Sequence, residues 1–433
     1  MRFGSGKICI TPCFPAKIAC VGDFESNFTQ IHDDVFVRCL VLDDGTRKLV
    51  FLAFDLLFHD RTLNDTIADY ALKQYGIDPA GVTVACTHAH TAPACRGYNP
   101  GHEDPRLEAL LVDRAKESLD KAIHSMMDGS LEYGFFHADF NISRRGQKDG
   151  VYDNIPDFDY PREQEFWVLC LRDSQNNIRS LLTNYACHPV FYPSRTAISG
   201  EFPARLCQLL DARYPGCTSL FFQSCAGDVR PRTTVDQQAL AEGKVQWRWN
   251  TSFSDMEQFA QDMFRSVSSF VEQGGCRRIE PDFACDAFVI QLPMDPKPLS
   301  HFQNQAEAFS DYIGNPNLVN ARRIAGGLYG QLETTLPLHC QTLRIAQGLW
   351  IVTLGGEPCF GVKQAIQTVF PDADLCLIGY TDACAYIVDD KILAEGGYEP
   401  GCHLEYGLVG PFLPGLDQKY RDGFSASRQR IIQ

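Results

Sequence analysis

GVTVACTHAHTAP, residues 81–93, sets an apolar β-rich run directly against a polar turn that carries two histidines. Such a short run, bounded by Gly and a Pro-containing turn, reads as a buried strand with His88 and His90 at its end. The same grammar recurs along the chain. FWVLCL (166–171) is followed by SLLTNYAC (180–187), which runs into His188-Pro189. SLFFQ (219–223) runs into SCAGDVRP, and LWIVTL (349–354) into Gly355-Gly356-Glu357-Pro358, before DLCLIGY (374–380). Helical patterns separate these strands: DRTLNDTIADYALKQYGI (60–77), a segment from about Pro105 to Met127 with Leu107, Leu110, Leu111, Ala115, Leu119, Ala122 and Ile123 on one face, PARLCQLLDARY (203–214) and CFGVKQAIQTVF (359–370). Alternation of this kind predicts an α/β protein with mixed β-sheets covered by helices and the active site at strand ends.

Working outward, DVFVRCLVL and KLVFLAFDLLF flank DDGTRK, whose Asp-Gly pair predicts a hairpin over 33–58. Residues 235–275 read as helical and polar, 283–293 as a strand, and 300–332 as helical with a break at Gly314-Asn315-Pro316 that suits a loop or lid. A Gly- and Pro-rich tail and a final short helix close the chain. There is no internal repeat, low-complexity linker or clear boundary, so the expectation is a single domain over 1–433.

Length and composition bound the function. At 433 residues and 45% hydrophobic content the chain can bury a large core. A net charge of −15 disfavours a phosphate backbone, so nucleic acid is not an expected partner. The opening MRFGSGKICITPCF has no signal-peptide pattern and no later apolar run is long enough to span a bilayer. The expectation is a cytoplasmic protein without stable membrane insertion, acting on a small molecule; its oligomeric state is not legible. The 18 cysteines are scattered, many in strand-like runs, with no C-x-x-C pair, which predicts buried free thiols rather than disulfides or a Cys-based zinc ribbon.

Four features carry chemistry. On an extended chain His88 and His90 point the same way, so they either face one site or form a hydrogen-bonded surface pair. His188 ends another apolar strand, where a structural role is the ordinary alternative. The paired glycines before Glu357 allow a sharp turn that presents a carboxylate. Tyr386, with Tyr398 twelve residues on, lies in a segment too Gly-rich and acidic for simple core. Together these residues offer imidazole, carboxylate and phenol donors to a borderline cation such as zinc. A metal with an open position lowers the pKa of its bound water to roughly 7, which is hydrolase chemistry.

In their order, these motifs resemble the N-terminal catalytic domain of the neutral/alkaline, non-lysosomal ceramidases, which cleave the amide of N-acylsphingosine. The resemblance runs from ICITP and IHDDVFVRCLVLDDG through THAHTAP, NISRR, YACHPV, AISGEFP and QSCAGDVRP to GGEP and the two tyrosines. It implies a zinc held by His88, His188, Glu357 and Tyr386. It makes His90 a proton donor or transition-state partner beside the metal, and places Arg144 and Tyr398 around the scissile amide, where fixed donors stabilise an oxyanion.

The sequence departs from the family at Gly227-Asp228-Val229-Arg230-Pro231, where ceramidases carry a required serine and this chain has Arg230. Ser224 is a conceivable substitute. The resemblance also stops before the family's immunoglobulin-like C-terminal domain, and the expectation is a protein without the family's secretion signal. An arginine at the reacting centre suits a carboxylate or phosphate, with Arg230 and Asp228 as candidate substrate-binding residues, while pairing of Arg230 with Asp228 or Glu201 is the structural alternative. The expectation is a zinc-dependent hydrolase in which metal-bound hydroxide attacks an amide, or an ester, of a small polar or acidic molecule rather than ceramide. The alternatives are a true ceramidase and a non-catalytic metal-binding scaffold of the same fold.

Overall fold

The computed structural model describes residues 1–19, 27–95, 104–308, 316–382 and 385–433. Its larger sheet runs, in spatial order, Thr218–Gln223, Ile178–Tyr185, Glu165–Asp173, Met127–His137, Arg2–Cys9, Phe36–Asp43, Lys48–Phe54 and Val82–Cys86, with Arg277–Ile279 pairing to Met127–His137 as a ninth strand. The two outermost pairs are parallel and the joints between them antiparallel. A second, four-stranded sheet orders Ala284–Pro293, Thr335–Ala346, Leu349–Leu354 and Asp374–Ile378, and its last pair is again parallel.

Alternation along the strands stacks these layers. In Glu165–Asp173, the residues Trp167, Leu169 and Leu171 join a cluster with Leu343, Ile351 and Ile378 of the smaller sheet. Phe166, Val168 and Cys170 face the other way, against Phe202 and Leu206 and against Met256, Phe259 and Met263. The hairpin behaves alike, with Leu40 and Leu42 between the sheets and Val37, Cys39 and Val41 under helices Arg61–Tyr75 and Pro105–His124. Helices Phe360–Gln367 and Leu416–Ile432 cover the smaller sheet. The order is helix, sheet, sheet, helix, and a strand apolar on both faces is the consequence of burial on both. The mixed α/β class read from sequence is the class observed. The Asp44-Gly45 turn closes the hairpin, with Asp44 accepting the Thr46 and Arg47 N–H groups and Gly45 at φ +94°.

Several sequence readings need correction. The helix from Pro105 ends at His124, and Met127 begins a strand. The stretch 235–275 is not helical throughout. Helix Gln237–Ala241 stops before Gly243 (φ +77°), helix Phe253–Glu272 starts on a Ser252–Asp255 capping box, and the chain between them pairs Trp247 with Val235. The final helix is 17 residues long, not short. Helices Leu299–Ala308 and Pro316–Arg323 flank the break read at Gly314-Asn315-Pro316, of which Gly314 and Asn315 lie outside the described residues. The hairpin Asn141–Lys148 with Val151–Asp157 was not foreseen, because charged and Gly-containing strands lack the apolar run that announces one. All cysteines among the described residues are free, and most are buried. No helix among them is long and apolar enough to cross a membrane.

The parallel strands of both sheets end at one edge, and Gln223 ties them there. Its side-chain nitrogen donates to the carbonyls of Thr87 (3.1 Å) and Cys187 (2.8 Å), its side-chain oxygen accepts the Cys187 N–H (3.2 Å), and its own carbonyl accepts the N–H of Gly379 (3.0 Å). All of this is buried. Gln223→Leu strands three buried backbone groups, each worth about 1 kcal/mol or more, and is expected to lower the unfolding free energy in urea by about 3 kcal/mol. A loss below about 1 kcal/mol would show that the strand ends hold without this amide.

Candidate functional site

His88 follows the strand Val82–Cys86, His188 follows Ile178–Tyr185, and Glu357 follows Leu349–Leu354. The backbone there is strained. Among the described residues the non-glycine positions with φ in the left-handed region include His88 (+67°), Tyr192 (+49°), Glu201 (+52°) and Tyr380 (+61°), all at this edge. Conformations of that cost persist only where surrounding contacts over-determine them, and they gather at functional sites. Glu201 supplies much of the constraint, since its buried carboxylate accepts the N–H groups of His90 (2.9 Å), Thr91 (3.2 Å) and Phe191 (3.4 Å). Burial raises its pKa to about 8 despite those donors. Gly356, at φ +72°, leaves no room for a side chain: a Cβ there would lie 2.6 Å from the Ala385 carbonyl oxygen.

His88, His90 and His188 are buried, with ligand nitrogens all within 4.8 Å of one another. The Nδ1 atoms of His88 and His188 contact the carbonyls of Leu57 (3.0 Å) and Ala226 (3.1 Å). A carbonyl only accepts, so each Nδ1 carries the hydrogen and each Nε2 presents a lone pair. Those Nε2 atoms lie 3.1 Å apart, and His90 Nε2 lies 3.0 Å from that of His188. Glu357 Oε2 lies 3.2 Å from His88 Nε2 and 3.7 Å from His188 Nε2 and has no hydrogen-bond donor of its own. Burial lowers the pKa of both His188 and His90 well below the usual value, which keeps both rings neutral.

Lone pairs and a carboxylate oxygen aimed at one buried point repel each other unless a cation lies between them. A tetrahedral ion about 2.0–2.1 Å from each donor holds donors about 3.3 Å apart, near the 3.1, 3.2 and 3.7 Å separations of His88, His188 and Glu357. The histidine group can therefore hold a metal ion, with Glu357 as a carboxylate donor beside it. The other oxygen of Glu357 accepts the Tyr406 hydroxyl at 2.5 Å, which fixes the carboxylate's orientation.

Tyr386 lines the same cavity and pairs through its backbone with Glu357. Its ring centroid is 5.7 Å from those of Tyr398 and Tyr406. Arg144 lies over both Tyr386 (4.9 Å) and Tyr398 (5.1 Å), donates from Nε to Glu399 (3.0 Å), and keeps Nη2 without a partner. Arg230 lines this cavity too, its guanidinium carbon over the rings of both Trp247 (4.4 Å) and Trp249 (4.6 Å). Among the described residues no carboxylate is within ion-pair distance of Arg230, so the pairing with Asp228 or Glu201 entertained from sequence does not form. The whole cavity measures about 280 Å³.

Two sequence candidates are placed elsewhere. Asp228 does not line the cavity; its buried carboxylate accepts the Phe360 N–H (3.1 Å) at the start of helix Phe360–Gln367, so it caps rather than binds. Ser224 donates to Glu163 (2.5 Å), which is itself paired with Lys363, and the hydroxyl is committed to that buried network. Sequence reasoning missed Tyr406, Tyr192, Trp247 and Trp249. Only the two tryptophans left a signal, the unusual QWRWN in a polar stretch.

No family model matches the sequence. Solved structures do share its fold. The crystal structure of neutral ceramidase from Pseudomonas aeruginosa aligns over 99% of this chain and 75% of that one, with a TM-score of 0.74 and 17% identity. A ceramidase complexed with C2 aligns over the same shares, with a TM-score of 0.75 and 16% identity. Over practically its whole described length, this chain has the neutral ceramidase fold.

Proposed function

We propose that this protein is a zinc-dependent hydrolase that cleaves a C–N amide bond in a small polar or acidic molecule. The observation that carries the reading is the buried Glu357 Oε2, which has no donor and faces the Nε2 lone pairs of His88 and His188. His88, His188 and Glu357 are the residues that would hold the ion, with Tyr386 at the cavity wall. When bound, such an ion supplies Lewis acidity toward a carbonyl and an activated water.

The chain's own residues supply the rest. Arg144 Nη2, buried and without a partner, is a donor in waiting for charge that develops on a carbonyl oxygen. Burial raises the pKa of Tyr386 and Tyr398 well above that of a free phenol, so both keep their hydroxyl hydrogens and can donate them. His90 differs from the other two histidines because its Nδ1 has no carbonyl partner. Neutral and uncommitted at that atom, it takes up a proton and returns it to the leaving nitrogen. The cavity, about 280 Å³, lies at the lower end of ligand sites and favours a compact substrate over a two-chain lipid.

Elemental analysis of the purified protein is expected to find about one zinc per chain, lost in His188→Ala and Glu357→Gln. Wild type that neither retains nor takes up metal would leave a scaffold of the same fold, and robust cleavage of ceramide would overturn the small-substrate reading. Tyr406→Phe is expected to weaken zinc binding by about 10–100-fold in competition with a chelator, because Glu357 loses its orienting donor. Arg144→Gln is expected to keep the metal and lose about 10²–10³ in kcat; an unchanged kcat would remove Arg144 from the reaction.

A further inference from the structure

Arg230 is the one arginine lining the site cavity that has no carboxylate at ion-pair distance among the described residues, although Glu405 lines the same cavity. Arg144 beside it is neutralised by Glu399 at 3.0 Å, and Arg145 behind it by Glu399 and Glu395. Arg230 is only 2% exposed, its Nε has no acceptor, and burial pulls its pKa down to about 10. A buried charge of this kind is costly.

Its surroundings define what would neutralise it. Trp247 and Trp249 lie over the guanidinium with centroids 4.4 and 4.6 Å away. Trp247 is buried and locked, its indole N–H donating to the backbone and side-chain oxygens of Asn154 at 2.9 Å each. Trp249 is 58% exposed at the cavity mouth. Two indoles this close crowd the approach to the guanidinium, whose N–H bonds point outward in its own plane. A planar carboxylate matches such a fork with two parallel hydrogen bonds and takes up less of the crowded space than a tetrahedral anion.

We propose that Arg230, Trp247 and Trp249 form a carboxylate-binding slot, and that the amide cleaved at the neighbouring histidines belongs to a molecule bearing a carboxylate close to the scissile bond. The term "cleaved" rests on the hydrolase reading above; the slot itself does not. The simplest members of the class are an N-acyl amino acid, with the carboxylate on the amine side, and the monoamide of a dicarboxylic acid, with it on the acyl side.

The probe is 4-oxopentanoate, which replaces the amide nitrogen of N-acetylglycine by carbon and cannot be hydrolysed. It is also the methyl-ketone counterpart of succinamate. Two of the chain's four tryptophans flank the slot, so titration of the zinc-loaded protein is followed by intrinsic fluorescence. 4-Oxopentanoate is expected to bind roughly tenfold or more tightly than the neutral 4-oxopentanamide, the ratio that a charge-assisted hydrogen-bonded pair supplies. Arg230→Gln, with its zinc content unchanged, is expected to abolish that preference, and Arg230→Lys to restore only part of it. Equal responses to the two ligands, a full preference in Arg230→Gln, or competition by inorganic phosphate as strong as by the carboxylate would each overturn the slot. The ligand pair tests the wild type directly, so a variant that fails to fold does not remove the test. Cleavage of N-acetylglycine or of succinamate then supports the proposal and assigns the side bearing the carboxylate. Arg230-dependent binding with neither compound cleaved retains the slot and sinks the hydrolase reading.

Discussion

One buried amide holds the site together. Gln223 satisfies backbone groups of Thr87 and Cys187, and its own carbonyl receives Gly379 from the smaller sheet. Each of those contacts lies one or a few residues from a site residue: Thr87 precedes His88, Cys187 precedes His188, and Gly379 precedes Tyr380, whose N–H is bound to Gly356 beside Glu357. A side-chain amide is suited to this place because it can donate twice and accept at once, which no apolar residue of similar volume can do. The edge where two sheets meet would otherwise leave several backbone groups buried and unpaired.

The strain in the site follows from the same constraint. Strands that stop at a common edge must turn sharply, and His88, Glu201 and Tyr380 do so in the left-handed region without being glycine. Glu201, folded back over the THAHTAP turn, holds that turn in place from the start of the helix Glu201–Arg213. The cost of these conformations is met by the packing of the layers behind them. The result is a set of donors whose positions are fixed before any ligand arrives, as a site of preorganised electrostatics requires.

The second coordinate of the site is charge. Its arginines are not equivalent: Arg144 and Arg145 are tied to Glu399, whereas Arg230 has no carboxylate partner among the described residues and lies over Trp247 and Trp249. The hairpin Asn141–Lys148 with Val151–Asp157 links the two situations. It carries Arg144, supplies Asn154 to anchor Trp247, and pairs with the strand that bears Arg230. A single irregular element thus carries Arg144 and anchors one of the tryptophans that lie over Arg230.

The sequence by itself determined the mixed α/β class and most of the candidate donors, because both depend on local pattern. Apolar runs bounded by turn residues fix strands, and the histidines and Glu357 stand at the ends of such runs, where topology leaves few places to go. The sequence could not decide partnership. Asp228 looked like a binding residue and caps a helix, because the chain packs the Phe360 N–H against it. Tyr406 looked like nothing and orients Glu357 across 49 residues of chain. Trp247 and Trp249 fell in a stretch read as helix, yet an extended segment carries them to Arg230. Local propensity acts over a few residues, whereas these contacts join segments that only the stacking of two sheets brings within hydrogen-bonding distance, so the donors were legible and their roles were decided by the tertiary structure.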